Sequence, residues 1–483
     1  MKAASGWPAA LSLAAAIALL LLALTPLTTL WDRDEPRFAQ AAVEMRASGD
    51  YLVPTFSGEV RPQKPPLIYW LMTLSLSLFG QREFAVRFWS PVGIAVSAIA
   101  TFVVARRLAS PRAALLAMIV LAATPLTLVE GVAATTDAVL LALITSSVAI
   151  GVEWFFRPPT WRHTVALGAL LGLGALTKGP VAVALPLAVL AAALALTRDA
   201  IPWRGRMVAA LGCSAIVGVV VFAAWYVPAA SRTATIGARG PLYETLARVI
   251  EIQEGHGTSI WVAPFYYAVV IAIGFAPWTA RLFAAIHASV RTRARSTADV
   301  LLAVWILVPF VAFTLAATKL PHYILPVWPA LAIAVARTFD AGGSIDDGQI
   351  RRVGRWAGLA AGVVLVAGLV ASPIIERAKP VAEVAQAVRA ANVDGPLFAY
   401  DFAEPSLVFY SGRPLIEIPN EAVLVEWARA PGPALLATTR AAMTRIEHFY
   451  GPLGLREIAA KRGWNYVKGT RVELVAFIRG SDR

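Results

Sequence analysis

Acidic residues are concentrated in the heptapeptide WDRDEPR, residues 31–37, which directly follows a long apolar run. Asp34 and Glu35 stand before Pro36, an order typical of a helix start, because acids complement the helix dipole and proline suits the first helical position. Capping needs one acid, and with Asp32 this stretch has three. A carboxylate can also accept the proton of an attacking hydroxyl. Asp34 and Glu35 are therefore candidate catalytic residues.

Basic residues form a second candidate set, beside the ends of apolar runs or in the loops between them: Lys64, Lys178, Arg248 and Lys319. Lys64 immediately precedes two prolines that can start a helix, an arrangement that suits a phosphate near the backbone dipoles. The alternative for each base is snorkelling, in which the side chain only reaches the lipid headgroups. Four bases on the face that the topology below makes external favour a shared anionic ligand.

Asp137 (ATTDAVL) begins another apolar run, where a helix-capping role and a functional role are equally well supported. Acids and bases at one lipid boundary suit a reaction in which a lipid phosphate leaves and Lys and Arg hold its developing charge. A carboxylate would then accept a proton or position the acceptor. A sugar joined to a polyprenyl phosphate would supply such a leaving group without a soluble nucleotide.

The composition decides the class of protein. The 483 residues are 58% hydrophobic and 15% charged, with a mean hydropathy of +0.66, which is typical of a polytopic membrane protein. A single cysteine, Cys213, excludes an intramolecular disulfide. The net charge of +13 indicates basic loops facing the cytoplasm rather than nucleic-acid binding.

Apolar stretches long enough to cross a bilayer predict about eleven spans, the first of them uncleaved. They lie near residues 8–30, 88–105, 113–130, 138–156, 164–177, 179–196, 207–228, 261–281, 298–316, 322–338 and 356–372.

Arginines mark every second connection between these spans, which predicts a cytoplasmic N-terminus and an external C-terminus. The clusters are Arg106, Arg107 and Arg112; Arg157 and Arg162; Arg198, Arg204 and Arg206; Arg281, Arg291, Arg293 and Arg295; Arg337, Arg351, Arg352 and Arg355. The apolar stretch 65–80 is too short to fit this pattern as a span, so we expect an interfacial or re-entrant segment. External loops are then expected at about 31–87 and 229–260.

Hydropathy falls after about residue 373, and the pattern changes. The segments PLFAYDF, ALLATT and VELVAFI indicate short strands, and PVAEVAQAVRAA and TTRAAMTRIEHFY indicate helices. We therefore expect an all-α transmembrane domain over residues 1–372, followed by a small extramembrane α/β domain over 373–483.

The motifs that carry the candidate residues resemble one known family. The stretch from DEPRFAQ through QKPPLIYWL to LFGQREFAVR resembles the first periplasmic loop of bacterial glycosyltransferases of the GT-C fold. ATTDAVL, LGALTKGP, YETLARV and KLPHYILPVWPAL follow in the same order, so the resemblance covers most of residues 30–335. Its closest members are lipid A 4-amino-4-deoxy-L-arabinose transferases and the wider protein-mannosyltransferase-like family.

The resemblance implies transfer of a sugar from a polyprenyl-phosphate donor at the outer face of the bacterial inner membrane. It implies that Asp34, with Glu35 beside it, is the essential acid of the first loop, and that Lys64 contacts the donor phosphate. It implies that Arg248 is the basic residue of the second loop and that Asp137, Lys178 and Tyr323 are further cavity residues. With the bases named above, the predicted phosphate ligands are Lys64, Arg248, Lys178 and Lys319. Arg37 and His322 are further predicted cavity residues. Aminoarabinose transferases carry Glu where this chain has Gln63, so the sugar stays open.

The acceptor is also open: a lipid A-type glycolipid or other envelope glycan, or a protein hydroxyl as in O-mannosylation. A lipid-linked sugar flippase is a rival of another class, but transporters place charges near the bilayer midplane, and here the informative charges lie at one face. The five histidines show no metal-ligand spacing, so the sequence demands no metal and no cofactor. The expected partners are the donor lipid, the acceptor and the membrane, without nucleic acid.

Overall fold

Long apolar segments separated by short polar turns give a mostly helical chain in the computed structural model. The structure describes residues 6–197, 201–251, 261–291, 296–340 and 347–480. Arg198, Arg293 and Arg295, and the end of the second predicted external loop, therefore lie outside the described residues.

The helices of the first half of the chain are α1 Trp7–Leu24, α2 Asp34–Ser48, α3 Leu67–Phe79, α4 Glu83–Arg87, α5 Trp89–Leu108, α6 Pro111–Ala122, α7 Pro125–Val132, α8 Asp137–Glu153, α9 Trp161–Lys178, α10 Val181–Leu196 and α11 Arg204–Arg232. Those of the second half are α12 Ala234–Arg239, α13 Pro241–Ile250, α14 Ala263–Gly274, α15 Thr279–Arg291, α16 Thr297–Leu315, the 3-10 helix Pro321–Val327, α17 Trp328–Asp340, α18 Asp347–Ala378, α19 Val381–Ala390, α20 Pro405–Ser411, α21 Glu421–Arg429 and α22 Arg440–Tyr450. Each predicted span falls on one of these helices or on a consecutive pair.

Within the described ranges, five helices are long and apolar enough to cross a bilayer, or seven if each of two bent pairs is one span. The five are Trp7–Leu24, Glu83–Leu108, Arg204–Arg232, Thr297–Leu315 and Gly348–Ala378. The pairs α6 with α7 and α14 with α15 bend by 66° and 118°, and a proline lies at each break, where it interrupts the helical hydrogen bonds. The predicted number of about eleven spans stays a prediction.

The apolar stretch 65–80 forms the 13-residue helix α3, which two prolines precede and Gly80 follows with φ +79°. At 1.5 Å per residue the helix is about 20 Å long, which is shorter than the ~30 Å hydrocarbon core. Its length agrees with the prediction that this segment is not a full span.

The chain divides into two compact units, each described by itself below. Unit 1 comprises residues 1–25, 62–71 and 87–365, and unit 2 comprises 26–61, 72–86 and 366–483. Unit 2 therefore contains part of the first predicted external loop together with the C-terminal segment. The predicted division into two domains at residue 372 stays a prediction.

Close helix packing in unit 1 sets the position of Asp137, the first residue of α8. Gly93 of α5 faces the start of α8, and a Cβ built on Gly93 would lie 2.6 Å from the backbone oxygen of Ala138. A distance this short cannot be relieved by rotating a side chain, because the neighbour is backbone. Glycine at position 93 therefore lets α5 approach the N-terminus of α8.

We expect Gly93→Ala to lower the thermal stability of the protein by roughly 1–3 kcal/mol, because α5 and α8 must move apart to accept the methyl group. Gly212→Ala on α11 is the matched control, since nothing lies within 4 Å of the added Cβ there and alanine favours a helix. Thermal unfolding of both variants in the same detergent measures the effect. Equal melting temperatures for the two variants would contradict it.

Unit 2 combines a hairpin with a mixed five-stranded sheet. The hairpin pairs β1 Thr55–Phe56 with β2 Glu59–Val60, and the sheet contains β3 Leu397–Tyr400, β4 Leu415–Glu417, β5 Ala434–Thr439, β6 Arg456–Asn465 and β7 Thr470–Arg479. The strand order is β4-β3-β5-β7-β6; β3 pairs in parallel with β4 and β5, and β7 pairs antiparallel with β5 and β6. Strands β3, β5 and β7 coincide with the three predicted strands.

Candidate active site

A pocket of about 90 Å³ in unit 1 collects most of the predicted site residues. Its polar lining is Gln63, Lys64, Asp137, Lys178, Glu244, Thr245, Arg248, His322 and Tyr323. Its apolar wall includes Leu140, Leu141, Val181, Leu185, Val249 and Phe313. The pocket therefore offers charged groups beside a hydrocarbon-like surface, which suits an amphiphilic ligand.

Asp137 and Lys178 form a buried ion pair at the edge of this pocket. Lys178 Nζ lies 2.5 Å from Asp137 Oδ1, and the two side chains are 13% and 8% exposed. Asp137 is the first residue of α8, and Lys178 is the last residue of α9, where Gly179 at φ +76° ends the helix. The carboxylate of Asp137 is engaged by a cation from another helix, so capping does not account for it.

Arg248 is held by two partners on different segments. Its Nε donates to Glu244 Oε1 at 2.7 Å, one turn earlier on α13, and its Nη1 donates to the hydroxyl of Tyr323 at 2.8 Å. The backbone N–H of Thr318 donates to the carbonyl of Arg248 at 3.1 Å, which joins the end of α13 to the segment before the 3-10 helix. These contacts fix the guanidinium at the pocket.

His322 lies between two carboxylates. Its Nδ1 is 3.8 Å from Glu130 Oε1, and its Nε2 is 3.9 Å from Asp137 Oδ2. Sequence reasoning missed Glu130, although the signal was available: it is an acid inside a predicted span, in the sequence LTLVEGV, where ionisable residues are costly and usually functional.

Lys64 is the cation of the pocket that has no ion-pair or hydrogen-bond partner among the residues that the structure describes. It lies in the loop before α3 and is partly buried. Burial, with the nearby charges of Lys178 and Arg248, lowers the pKa of the Lys64 ammonium to about 8. The group is thus charged at neutral pH in surroundings that disfavour its charge, and an anionic ligand would relieve this cost.

Among the described residues that line the pocket, three are bases, Lys64, Lys178 and Arg248, and two are acids, Asp137 and Glu244. Both acids are paired with Lys178 and Arg248, and a third acid, Glu130, lies beside His322. The ammonium of Lys64 is therefore left for a bound anion such as a phosphate among these residues.

Lys319 is the predicted phosphate ligand that does not line the pocket. Its side chain is buried, with 6% of the residue exposed, and its Nζ donates to the backbone carbonyl of Ala316. The reason is local: the side chain folds back onto the end of α16 and satisfies a carbonyl that the helix leaves free.

The predicted acids of WDRDEPR belong to unit 2. Asp34 is the exposed first residue of α2, and its carboxylate accepts no hydrogen bond within the described ranges. Glu35 is buried, and its Oε2 accepts a hydrogen bond from the N–H of Trp31 at 2.7 Å. Glu35 therefore has a structural contact, whereas Asp34 stays available for other contacts. Arg37, a predicted cavity residue, is partly buried on the same helix.

Asp32, which lies outside the catalytic motif implied by the family, is the most constrained acid of the heptapeptide. Its two carboxylate oxygens accept from the N–H and the hydroxyl of Ser406, at 2.8 and 2.5 Å. The hydroxyl of Tyr466 donates to Oδ2 at 3.3 Å. Burial raises the pKa of the Asp32 carboxyl to about 6; the Ser406 bonds oppose this rise, and nearby Glu404 adds to it. Substitution of Asp32 is therefore expected to disturb the fold of unit 2.

The raised pKa of Asp32 predicts a stability that falls as the pH rises. Between the ordinary pKa of 3.8 and about 6 the folded protein holds a proton that the unfolded chain releases, so this contribution is largest below that window and is lost above it. Its size is on the order of 2 kcal/mol. We expect the wild type to lose more stability than Asp32→Asn between pH 4.5 and 7.5, as measured by thermal unfolding. A difference between the two proteins that does not change with pH would contradict this assignment.

The chain is similar to known proteins over most of its length. Residues 63–226, which include Lys64, Asp137 and Lys178, match the family described as dolichyl-phosphate-mannose-protein mannosyltransferase. Over 342 residues the chain is 32% identical to the undecaprenyl phosphate-alpha-4-amino-4-deoxy-L-arabinose arabinosyl transferase of Edwardsiella ictaluri, an alignment that covers 70% of this chain. It spans 60% of the length of that relative.

The fold is shared with solved structures. ArnT from Cupriavidus metallidurans bound to undecaprenyl phosphate matches with a TM-score of 0.81 at 22% identity, over 98% of both chains. The oligosaccharyltransferase AglB from Archaeoglobus fulgidus matches with a TM-score of 0.56 at 12% identity, over 96% of this chain and 74% of that one.

The fold and the helices define the chain as a multi-pass membrane protein with the GT-C fold. In sequence the chain is similar to the ArnT-like glycosyltransferases over 70% of its length. The family resemblance predicted from the motifs is confirmed.

Proposed function

We propose that the chain transfers a sugar from a polyprenyl-phosphate donor to a lipid A-type glycolipid or another acceptor of the cell envelope. The observation that carries this proposal is Lys64, which has no ion-pair partner among the described residues and lines a pocket whose other wall is apolar. A polyprenyl phosphate has both matching parts, an anionic head and a hydrocarbon tail. The names of the curated relative and of the Cupriavidus structure, which include undecaprenyl phosphate, support the same donor class.

The proposed reaction assigns each charge a role. The acceptor hydroxyl attacks the anomeric carbon, the bond from that carbon to the phosphate oxygen breaks, and the polyprenyl phosphate leaves with the bonding electrons. Lys64, Arg248 and Lys178 stabilise the phosphate charge, and Asp34 accepts the hydroxyl proton. Glu35, Arg37, Tyr323 and His322 are proposed to complete the site. Lys319, which lies outside the pocket lining, is proposed to act through the position of α16.

A purified protein in lipid nanodiscs tests the proposal. The protein would be incubated with polyprenyl-phosphate-linked sugars and with lipid A, and mass spectrometry would follow the mass gained by the acceptor. A sugar added to lipid A, and absent from lipid A of a deletion strain, supports the proposal. No transfer from any polyprenyl-linked sugar would refute the donor class.

A protein hydroxyl is the second candidate acceptor. The family that matches residues 63–226 is described as a protein mannosyltransferase, which favours this alternative over a transporter. Adding a peptide rich in serine and threonine to the same nanodisc assay separates the two acceptors, because the sugar mass would then appear on the peptide rather than on lipid A.

The proposed location is the bacterial inner membrane, with a cytoplasmic N-terminus and with the pocket and the C-terminal segment periplasmic. Since positively charged loops stay in the cytoplasm, a reporter fused at Arg293 should be cytoplasmic, and one fused after Arg483 should be periplasmic. Both positions lie outside the described residues. Alkaline phosphatase and fluorescent-protein fusions measure the two sides, and reporters on one common side would overturn the predicted parity.

A further inference from the structure

Side chains hold the backbone of Thr29–Asp32, which lies between α1 and α2. Residues 29–31 are neither helix nor strand, and Asp32 is in a turn. Backbone groups in such a segment usually bond to water or to neighbouring turns. Here four consecutive backbone N–H groups, from Thr29 to Asp32, each donate to a side chain within unit 2.

The four bonds come from different parts of the chain. The N–H of Thr29 donates to Glu376 Oε1 at 3.0 Å, and that of Leu30 to the hydroxyl of Tyr410 at 2.7 Å. The N–H of Trp31 donates to Glu35 Oε2 at 2.7 Å, and that of Asp32 to the hydroxyl of Tyr466 at 2.5 Å. Three of the four acceptors belong to the C-terminal segment, more than 340 residues away in sequence.

Lys379 binds a backbone carbonyl of the same segment. Its Nζ donates to the carbonyl of Thr29 at 2.8 Å and lies 3.8 Å from the centre of the Trp31 ring. Only 7% of Lys379 is exposed, so its buried ammonium is stabilised by these contacts with the segment. The ring of Tyr466 also packs edge-on against Trp31, with centroids 5.1 Å apart.

We propose that Tyr466 and Lys379 are positioning residues for Asp34: they hold Thr29–Asp32 rigidly and thereby set where the first turn of α2 begins. The proposal rests on the proposed sugar transfer and on the role of Asp34 in it. Tyr466 lies in the turn between β6 and β7, and Lys379 lies between α18 and α19, so connections between elements of unit 2 carry the groups that fix the acidic segment.

Tyr466→Phe is the sharpest test, because it removes the hydroxyl that accepts from Asp32 N–H and keeps the ring against Trp31. Tyr450→Phe is the matched control, since Tyr450 is exposed in the same unit and its hydroxyl has no partner in the described part of the chain. Hydrogen exchange measured by mass spectrometry over residues 26–33, in the full-length protein, reports the segment directly.

We expect exchange in Tyr466→Phe to become at least tenfold faster at Thr29 and Leu30 as well as at Asp32, although the partners of Thr29 and Leu30 are untouched. We also expect kcat for sugar transfer to fall about tenfold with an unchanged KM for the donor lipid. Lys379→Met should give the same two results. Faster exchange confined to Asp32, or faster exchange with unchanged kcat, would overturn the positioning role.

The two proposals fail separately. If the wild type transfers no sugar, the proposed function falls, and the exchange pattern over Thr29–Asp32 still decides whether the segment is held as one unit. If the wild type is active and Tyr466→Phe matches Tyr450→Phe in both readouts, the proposed function stands and the positioning role is refuted.

Discussion

Asp34→Asn should lower sugar transfer by about 10²-fold or more while the protein still folds. Asparagine keeps the shape of the side chain, and Asp34 makes no capping hydrogen bond at the start of α2, so the helix should form as before. It removes the negative charge and the capacity to accept a proton. The carboxylate of Asp34 is exposed and accepts no hydrogen bond in the described ranges, so no fold contact is lost with it.

Asp394→Asn is the control for this prediction, because Asp394 is exposed in the same unit and the chemical change is identical. Turnover of a polyprenyl-linked sugar in nanodiscs is the measurement, with thermal unfolding to verify the fold. Near-wild-type turnover in Asp34→Asn would remove this acid from the mechanism and leave it as a helix-start residue. Turnover lost equally in Asp394→Asn would show that the assay responds to charge in general.

Lys64→Met should weaken binding of undecaprenyl phosphate roughly tenfold or more, since a charge-assisted contact to phosphate contributes about 1.5–3 kcal/mol. Methionine keeps the length of the side chain and removes the cation that has no ion-pair partner in the described part of the chain. The ion pairs of Lys178 and Arg248 are untouched by this change, so the fold of the pocket should persist.

The pH dependence of undecaprenyl phosphate binding is a second test of the role of Lys64. With a pKa of about 8, the ammonium is charged at pH 7 and largely neutral at pH 9, so wild-type affinity should fall across this range. In Lys64→Met that part of the pH dependence should vanish. Lys461→Met, a partly exposed lysine in unit 2, is the control. Equal affinity in the wild type and in Lys64→Met would favour snorkelling of Lys64 instead.

The membrane helices were predictable from sequence because their signal is local. An apolar run of about twenty residues identifies a span by composition alone, and prolines mark the two breaks. The number of spans stays a prediction, because helices such as α8 and α10, with 17 and 16 residues, are shorter than the apolar stretches in which they lie. The strand β6 was missed for a related reason: REIAAKRGWN is an edge strand with exposed charges and no apolar run.

The site was predictable as a set of charges, but its pairing was not. Lys178 and Asp137 stand out because each lies at the end of an apolar helix, yet the sequence could not show that they face each other. Lys319 has the same local signature as Lys178, and only the tertiary structure turns its ammonium onto Ala316. Asp32 was set aside because its partners, Ser406 and Tyr466, are more than 370 residues away in sequence.

The ion pair between Asp137 and Lys178 has a direction. The acid lies at the N-terminal end of α8 and the base at the C-terminal end of α9, so each charge also matches the dipole of its own helix, which contributes about 0.3–1 kcal/mol apiece. An exchanged pair, with lysine at 137 and aspartate at 178, would keep the attraction and oppose both dipoles. The exchanged pair is therefore expected to make the protein less stable than the native pair does, although the attraction between the two charges is the same.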